Sequence, residues 1–169
     1  EAIHKEIRGL CQLGTFELVK MPDRQRPIDS RIVLKTKYRA DGTFDKDKAR
    51  LVARGFLAKM GVDYYSTFSP MASLTAVRLL CSLALHRKDP LRHMDVPQAF
   101  IQSQIDATSY LKLPLGIYVE RDGRRHTVVR LVKALYGLKQ SPQLWNKMLT
   151  EFLVKQCGLV RGKSETSMF

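Results

Sequence analysis

The 169 residues, 44% hydrophobic and 27% charged, exclude a disordered tail and suit one domain with a core of its own. A formal net charge of +13 favours a polyanionic partner, and nucleic acid before a membrane surface, because no strongly basic amphipathic helix stands out. No apolar run approaches the roughly 20 residues that span a bilayer, no signal-peptide pattern follows Glu1, and the scattered cysteines and histidines lack zinc-ligand spacing.

Residues 2–13 read as a helix, with Ile3, Ile7 and Leu10 on one stripe and Gly14 as its C-terminal cap. Phe16 to Val19 reads as a short strand and Pro22 to Pro27 as a polar loop. Residues 31–39 and 47–56 read as strands joined through the turn dipeptide Asp41-Gly42. In the first, Ile32, Leu34, Thr36 and Tyr38 alternate with Lys35, Lys37 and Arg39. In the second, Ala49, Leu51 and Ala53 alternate with Lys48, Arg50 and Arg54. A period of two sets each basic series on one face of its strand. If the two faces coincide, the hairpin is apolar behind and cationic in front. A polyanion-binding face and an ordinary solvated face both fit that pattern.

Residues 57–72 read as loop, punctuated by Gly61 and Pro70. Ser73 then caps a helix whose Leu74, Val77, Leu80, Cys81, Ala84 and Leu85 are expected to face the core, and Asp89-Pro90 ends it. Residues 91–96 read as a strand, with Pro97 in the first turn of a following helix. Tyr110 to Leu113 and Thr127 to Val132 are further strands, with a hairpin turn at Asp122-Gly123 between them. Ser141-Pro142 opens the last helix as cap and first-turn proline. Its buried side is Leu144, Trp145, Met148, Leu149, Phe152 and Leu153, and Gly158 ends it. Cys11, Cys81 and Cys157 are expected to be reduced core or near-core residues of an intracellular protein. The order of elements is mixed α+β, without repeat or linker.

Asp95 is the candidate for chemistry. It stands near the end of a short apolar strand, just before a turn, where a carboxylate can hold Mg2+ at a sheet edge. It can equally cap the helix that begins at Pro97.

Several blocks follow one another in order: KARLVARGF from Lys48 to Phe56, GVDY from Gly61 to Tyr64, and TFSP from Thr67 to Pro70. Met94-Asp95-Val96 with Ala99-Phe100 comes next, then LYGLKQSP from Leu135 to Pro142 with Trp145. GTFELV from Gly14 to Val19 fits too, with Phe16 where tryptophan is commoner. Together they resemble copia-type retrotransposon reverse transcriptases across nearly the whole chain. Gln102 to Asp106 and Met71-Ala72 depart from that pattern.

The resemblance implies an RNA-directed DNA polymerase with an α+β fold: a partial right hand, in which a fingers hairpin joins an incomplete palm. Within one domain over 1–169, residues 14–72 would be fingers-like around the basic hairpin 31–56, and 73–169 palm-like. Asp95 matches the first metal-binding aspartate, and Val96 would lend its carbonyl to the same metal. Phe100 matches the position beneath the incoming sugar, where a ring crowds a 2′-hydroxyl; by its residue type alone it is a core aromatic. Lys37, Lys48, Arg50 and Arg54 match the fingers residues that grip triphosphate and template. Gly137, Gln140, Ser141 and Pro142 match the segment near the templating base, with Gln140 on the nucleotide side; by residue type alone they end a strand and cap a helix.

The implied partners are an RNA template, a DNA primer, deoxynucleoside triphosphates and the remaining Pol parts, integrase and RNase H, with no membrane. The implied setting is a cytoplasmic virus-like particle or the nucleus. The implied chemistry is two-metal nucleotidyl transfer with Mg2+ or Mn2+, which needs a second carboxylate set from a Tyr-x-Asp-Asp hairpin. The sequence contains neither that motif nor any Asp-Asp pair. It is therefore expected to stop short of that hairpin, to be inactive alone and to be marginally stable. The alternatives are a non-catalytic nucleic-acid-binding remnant of a degenerate element, and a structural module whose charge serves solubility.

Overall fold

The computed structural model describes residues 1–19 and 25–169, so the Pro22–Arg24 part of the expected polar loop lies outside the described residues. Helix α1 (Ala2–Gln12) ends as its sequence requires. Gly14 takes a left-handed φ of 64°, and the Thr15 N–H reaches back to the Leu10 carbonyl. Strand β1 (Phe16–Leu18) follows, then the long hairpin of β2 (Ile28–Tyr38) and β3 (Phe44–Ala53). Asp41 builds its turn by accepting from both the N–H and the hydroxyl of Thr43, at 2.9 and 2.7 Å, while Gly42 supplies a φ of 82°.

Strands β4 (Tyr110–Lys112), β5 (Val119–Arg121), β6 (Arg124–His126) and β7 (Val128–Leu131) come later in the chain. The main sheet is ordered β1-β7-β4-β2-β3; β2 and β4 are parallel and the other neighbours antiparallel. The β5–β6 hairpin stands apart, its turn made by Asp122 and Gly123, both at positive φ. The core forms where α1, the base of the long hairpin and the 135–138 segment meet: Leu10, Ile28, Leu51, Leu111, Val129, Leu135 and Leu138 are all buried. The fold is mixed α and β, as its element order predicts.

Several expectations are corrected. Helix α2 (Leu74–Arg87) is capped as expected, since Ser73 Oγ accepts from the Ala76 N–H at 3.1 Å. Its apolar side is not core, however. Only Ala76 and Ala84 are buried, and Leu80 and Leu85 are 51% and 82% exposed. Leu79 and Leu83 extend the apolar surface beyond one stripe, so the helix is apolar on most sides. Residues 91–96 form no strand, and Pro97 opens no α-helix. A 3-10 helix, Ala99–Gln102, follows Gln98.

Helix α3 (Ser141–Lys155) carries Pro142 in its first turn as expected. Ser141 does not cap it: its hydroxyl donates to the Leu135 carbonyl at 2.6 Å, inside the protein. The expected buried side of α3 is only half-buried, and Phe152 is exposed. The three cysteines are free but exposed, not core residues.

Candidate functional site

The register of the long hairpin decides what its cationic residues can do. Lys35 lies opposite Lys48, Lys37 opposite Lys46, and Val33 opposite Arg50. Side chains directly opposed across two strands share one face, so the two basic series coincide. The other face carries Leu51, Ala49 and Ala53 into the core. Like charges set directly opposite one another destabilise a sheet, by up to roughly 1 kcal/mol per pair. Among the described residues no carboxylate forms a salt bridge with Lys35, Lys37, Lys48 or Arg50. Burial first, then the charges of Arg50, Lys37 and Lys46, pull the Lys48 ammonium below the ordinary lysine range, and Glu6 partly opposes them.

Helix α1 buttresses this face from the edge of the sheet. Glu6 on α1 accepts from the Leu51 N–H at 3.2 Å, occupying a backbone donor that an edge strand would leave free. Between α1 and the hairpin runs a groove of about 730 Å³ bordered by Lys37, Lys46 and Lys48 with Lys5 and Arg8. Beside it lies a smaller cleft of about 320 Å³, lined by Glu6, Lys48, Arg50, Asp95, Val96 and Tyr136 among others. Asp95 is solvent-exposed on the unpaired 91–96 stretch. The capping alternative fails, because the short helix after it has Gln98 at its N-cap and no side-chain cap. Asp95 therefore faces the same cleft as two cations of β3.

Phe100, in the 3-10 helix, is half-buried, and its ring meets Tyr136 at 5.2 Å between centroids with a 60° tilt. Tyr136 in turn lies beneath the Arg50 guanidinium, 5.0 Å from ring centroid to Cζ. The backbone holds this arrangement in place. The Ala53 N–H donates to the Tyr136 carbonyl at 2.8 Å. A Cβ on Gly137 would lie 2.1 Å from the Ala53 carbonyl oxygen, and one on Gly55 would lie 2.1 Å from the Gly137 oxygen. Two chain segments thus dock backbone to backbone, and only glycine fits at either contact.

The remaining candidates fall elsewhere. Lys37 borders the larger groove. Arg54 follows the end of β3, where the chain turns into the 3-10 helix Gly55–Leu57; it lines a separate cleft with Asp29 and Lys112. Gln140 is fully buried, and its Nε2 donates to the Asp63 carbonyl at 2.8 Å. Pro142 accepts from the Ser69 hydroxyl at 3.2 Å. Gln140, Ser141 and Pro142 thus tie loops together and do not line the Asp95 cleft. Tyr136 is the residue that composition and spacing passed over. Its signal was its place beside Gly137, because a glycine forced by close backbone packing fixes its neighbour as well.

Among the described residues no group of three or more His, Cys, Asp or Glu could hold a metal ion. One exposed carboxylate and the Val96 carbonyl fall short of the oxygen set that Mg2+ takes, so the residues present do not fit a metal pair. Among the described residues no helix is long and apolar enough to cross a membrane.

Comparison with known proteins shows the family. The family described as "Reverse transcriptase (RNA-dependent DNA polymerase)" matches residues 13–169. The chain is 37% identical over 169 residues to the retrovirus-related Pol polyprotein from transposon RE1 of Arabidopsis thaliana, covering 99% of this chain and 11% of that polyprotein. It is 35% identical over 156 residues to the Pol polyprotein from transposon TNT 1-94 of Nicotiana tabacum, covering 92% and 12%. The transposon Ty1-DR5 Gag-Pol polyprotein of Saccharomyces cerevisiae is 34% identical over 175 residues, covering 97% and 9%. No solved structure matches.

Proposed function

This chain belongs to the reverse transcriptase family, with copia-type transposon Pol polyproteins as its relatives, and from that premise we propose that it grips the incoming nucleotide and the template of an RNA-directed DNA polymerase. In this reading β2 and β3 are the fingers and the stretch from Asp95 onward belongs to the palm. RNA template, DNA primer and deoxynucleoside triphosphates are the ligands. The observation that carries the reading is the register: Lys35 opposite Lys48 and Lys37 opposite Lys46, on the face that borders the Asp95 cleft. Opposed lysines repel until phosphates come between them, and phosphate binding then releases counterions as well.

The reaction is attack of a primer 3′-hydroxyl on the α-phosphorus of the nucleotide, with pyrophosphate leaving. The cleft residues bind and orient for it. Lys48 and Arg50 take the triphosphate, Lys37 and Lys46 the template backbone. Phe100 forms the wall beneath the sugar, where a ring crowds a 2′-hydroxyl. Asp95 brings a single carboxylate next to them, a donor set too small for two ions. The lack of any Asp-Asp pair favours a second reading for the chain acting alone, namely binding without extension.

Filter binding of a primer–template across a salt series tests the first reading. Affinity should fall linearly on logarithmic axes. Changing Lys37 or Lys46 to Gln should each shrink the slope by about 0.7–0.9, while Arg54→Gln, in its separate cleft, should leave it alone. Binding that is absent or indifferent to salt would sink the proposal. Primer extension separates the two readings: we expect no incorporation, and incorporation that Asp95→Asn abolishes would assign catalysis to this chain alone.

A further inference from the structure

We propose that Tyr136 is the positioning residue of the Asp95 cleft, its one ring fixing both the Arg50 guanidinium and the Phe100 ring. This rests on the nucleotide-gripping reading above and deepens it. The Arg50 Cζ stands 5.0 Å from the Tyr136 centroid, and Phe100 meets the same ring at 5.2 Å. Tyr136 lines the cleft together with Arg50 and Asp95. Among the described residues Arg50 has no salt-bridge partner, so the ring is the neighbour that orders its head group. A guanidinium held over a π face keeps its N–H edge free for phosphate oxygens.

The backbone keeps that ring from drifting. Its own carbonyl accepts from the Ala53 N–H at 2.8 Å, three positions along β3 from Arg50. The adjacent Gly137 packs so closely on Ala53 that no side chain could intervene. The strand that carries the phosphate-facing cation and the segment that carries the ring are thereby one unit, and Phe100 rests against it. Phosphate grip and sugar discrimination then share a support. Loss of the ring should disturb both, whereas loss of Arg50 should disturb only the first.

Equilibrium titration of the whole chain with dUTP, UTP and inorganic tripolyphosphate reads the two effects separately. Tyr136→Leu should weaken dUTP and tripolyphosphate binding roughly fivefold and bring the dUTP/UTP affinity ratio toward unity. Tyr136→Phe, which restores the ring, should restore both. Arg50→Gln should weaken all three ligands and keep the ratio. Adding Tyr136→Leu to Arg50→Gln should cost no further tripolyphosphate affinity, because the ring then has no cation to hold. If Tyr136→Leu does not fold, Tyr136→His, flat but with a poorer π face, should show both losses in part. A wild-type ratio and affinity in the Leu or His variant would overturn this proposal while leaving the nucleotide-gripping reading standing. A parent chain that binds none of the three ligands would overturn both.

Discussion

Two apolar stretches of this chain meet opposite fates. On β3, Ala49, Leu51 and Ala53 alternate with cations and are buried. On α2, Leu74, Val77, Leu79, Leu80, Leu83 and Leu85 form a longer and more apolar surface, yet each is exposed. β3 is held on both edges, by β2 on one side and on the other by Glu6 and the Tyr136 carbonyl. Its alternation therefore has a fixed surface to face. α2 has good caps at both ends, Ser73 and the left-handed Lys88, but its apolar residues point several ways. Local signals suffice to make a helix; burial requires something on the other side.

Truncating one leucine in each stretch separates the two fates by energy. Leu51→Ala should cost about 2–5 kcal/mol, because the removed carbons leave a cavity in a packed core. Leu80→Ala should change stability by no more than about 0.5 kcal/mol, as exposed positions do. Urea unfolding of the two variants checks both, and equal losses would mean that α2 is as buried as β3. A contact made by backbone alone should come next in size. Gly137→Ala forces a Cβ against the Ala53 carbonyl at a φ of 87°, a conformation that side chains resist. A loss of about 1–3 kcal/mol is expected. Gly61→Ala, at a φ of 82° but in open space, carries the backbone strain without the clash and should lose less.

These contrasts also mark what was legible in the sequence. Gly14, Asp41-Gly42, Ser73 and Asp122-Gly123 each act within a few residues of themselves, and each places its turn or cap as read. A period of two puts each basic series on one face of its strand, but that the two faces coincide is decided by the register of the hairpin. The segment 91–96 looked like a strand because Met94 and Val96 are apolar, but a strand needs a neighbour to pair with, and sequence periodicity does not supply one. Ser141 beside Pro142 has the form of a cap; tertiary contact with Leu135 claims its hydroxyl instead. At the site, Asp95 stands out by its place before a turn, Lys48 and Arg50 by their alternation with apolar residues, and Phe100 only through the family resemblance. What joins them is Tyr136, and its role depends on a docking of Gly137 against Ala53, more than eighty positions apart, that no local pattern carries.

The smallest expected effect is the most telling about the cationic face, because stability and binding should move in opposite directions. Lys48→Met removes a charge held opposite Lys35 and next to Arg50 and Lys37. The fold should gain a few tenths of a kcal/mol, while affinity for a deoxynucleoside triphosphate falls. The pH dependence has the same origin. Burial and neighbouring cations hold the folded Lys48 below its ordinary value of 10.5, so in that range the unfolded chain binds more protons. Stability from this residue therefore rises as pH climbs through the lowered value toward 10.5, while the discharged face loses its grip on phosphate. Urea midpoints at pH 8 and at about pH 10, for the parent and for Lys48→Met, isolate the charge of this lysine: the advantage of the variant should shrink at the higher pH. A variant that is less stable than the parent at both would mean that the methylenes of Lys48 matter more to the fold than its charge.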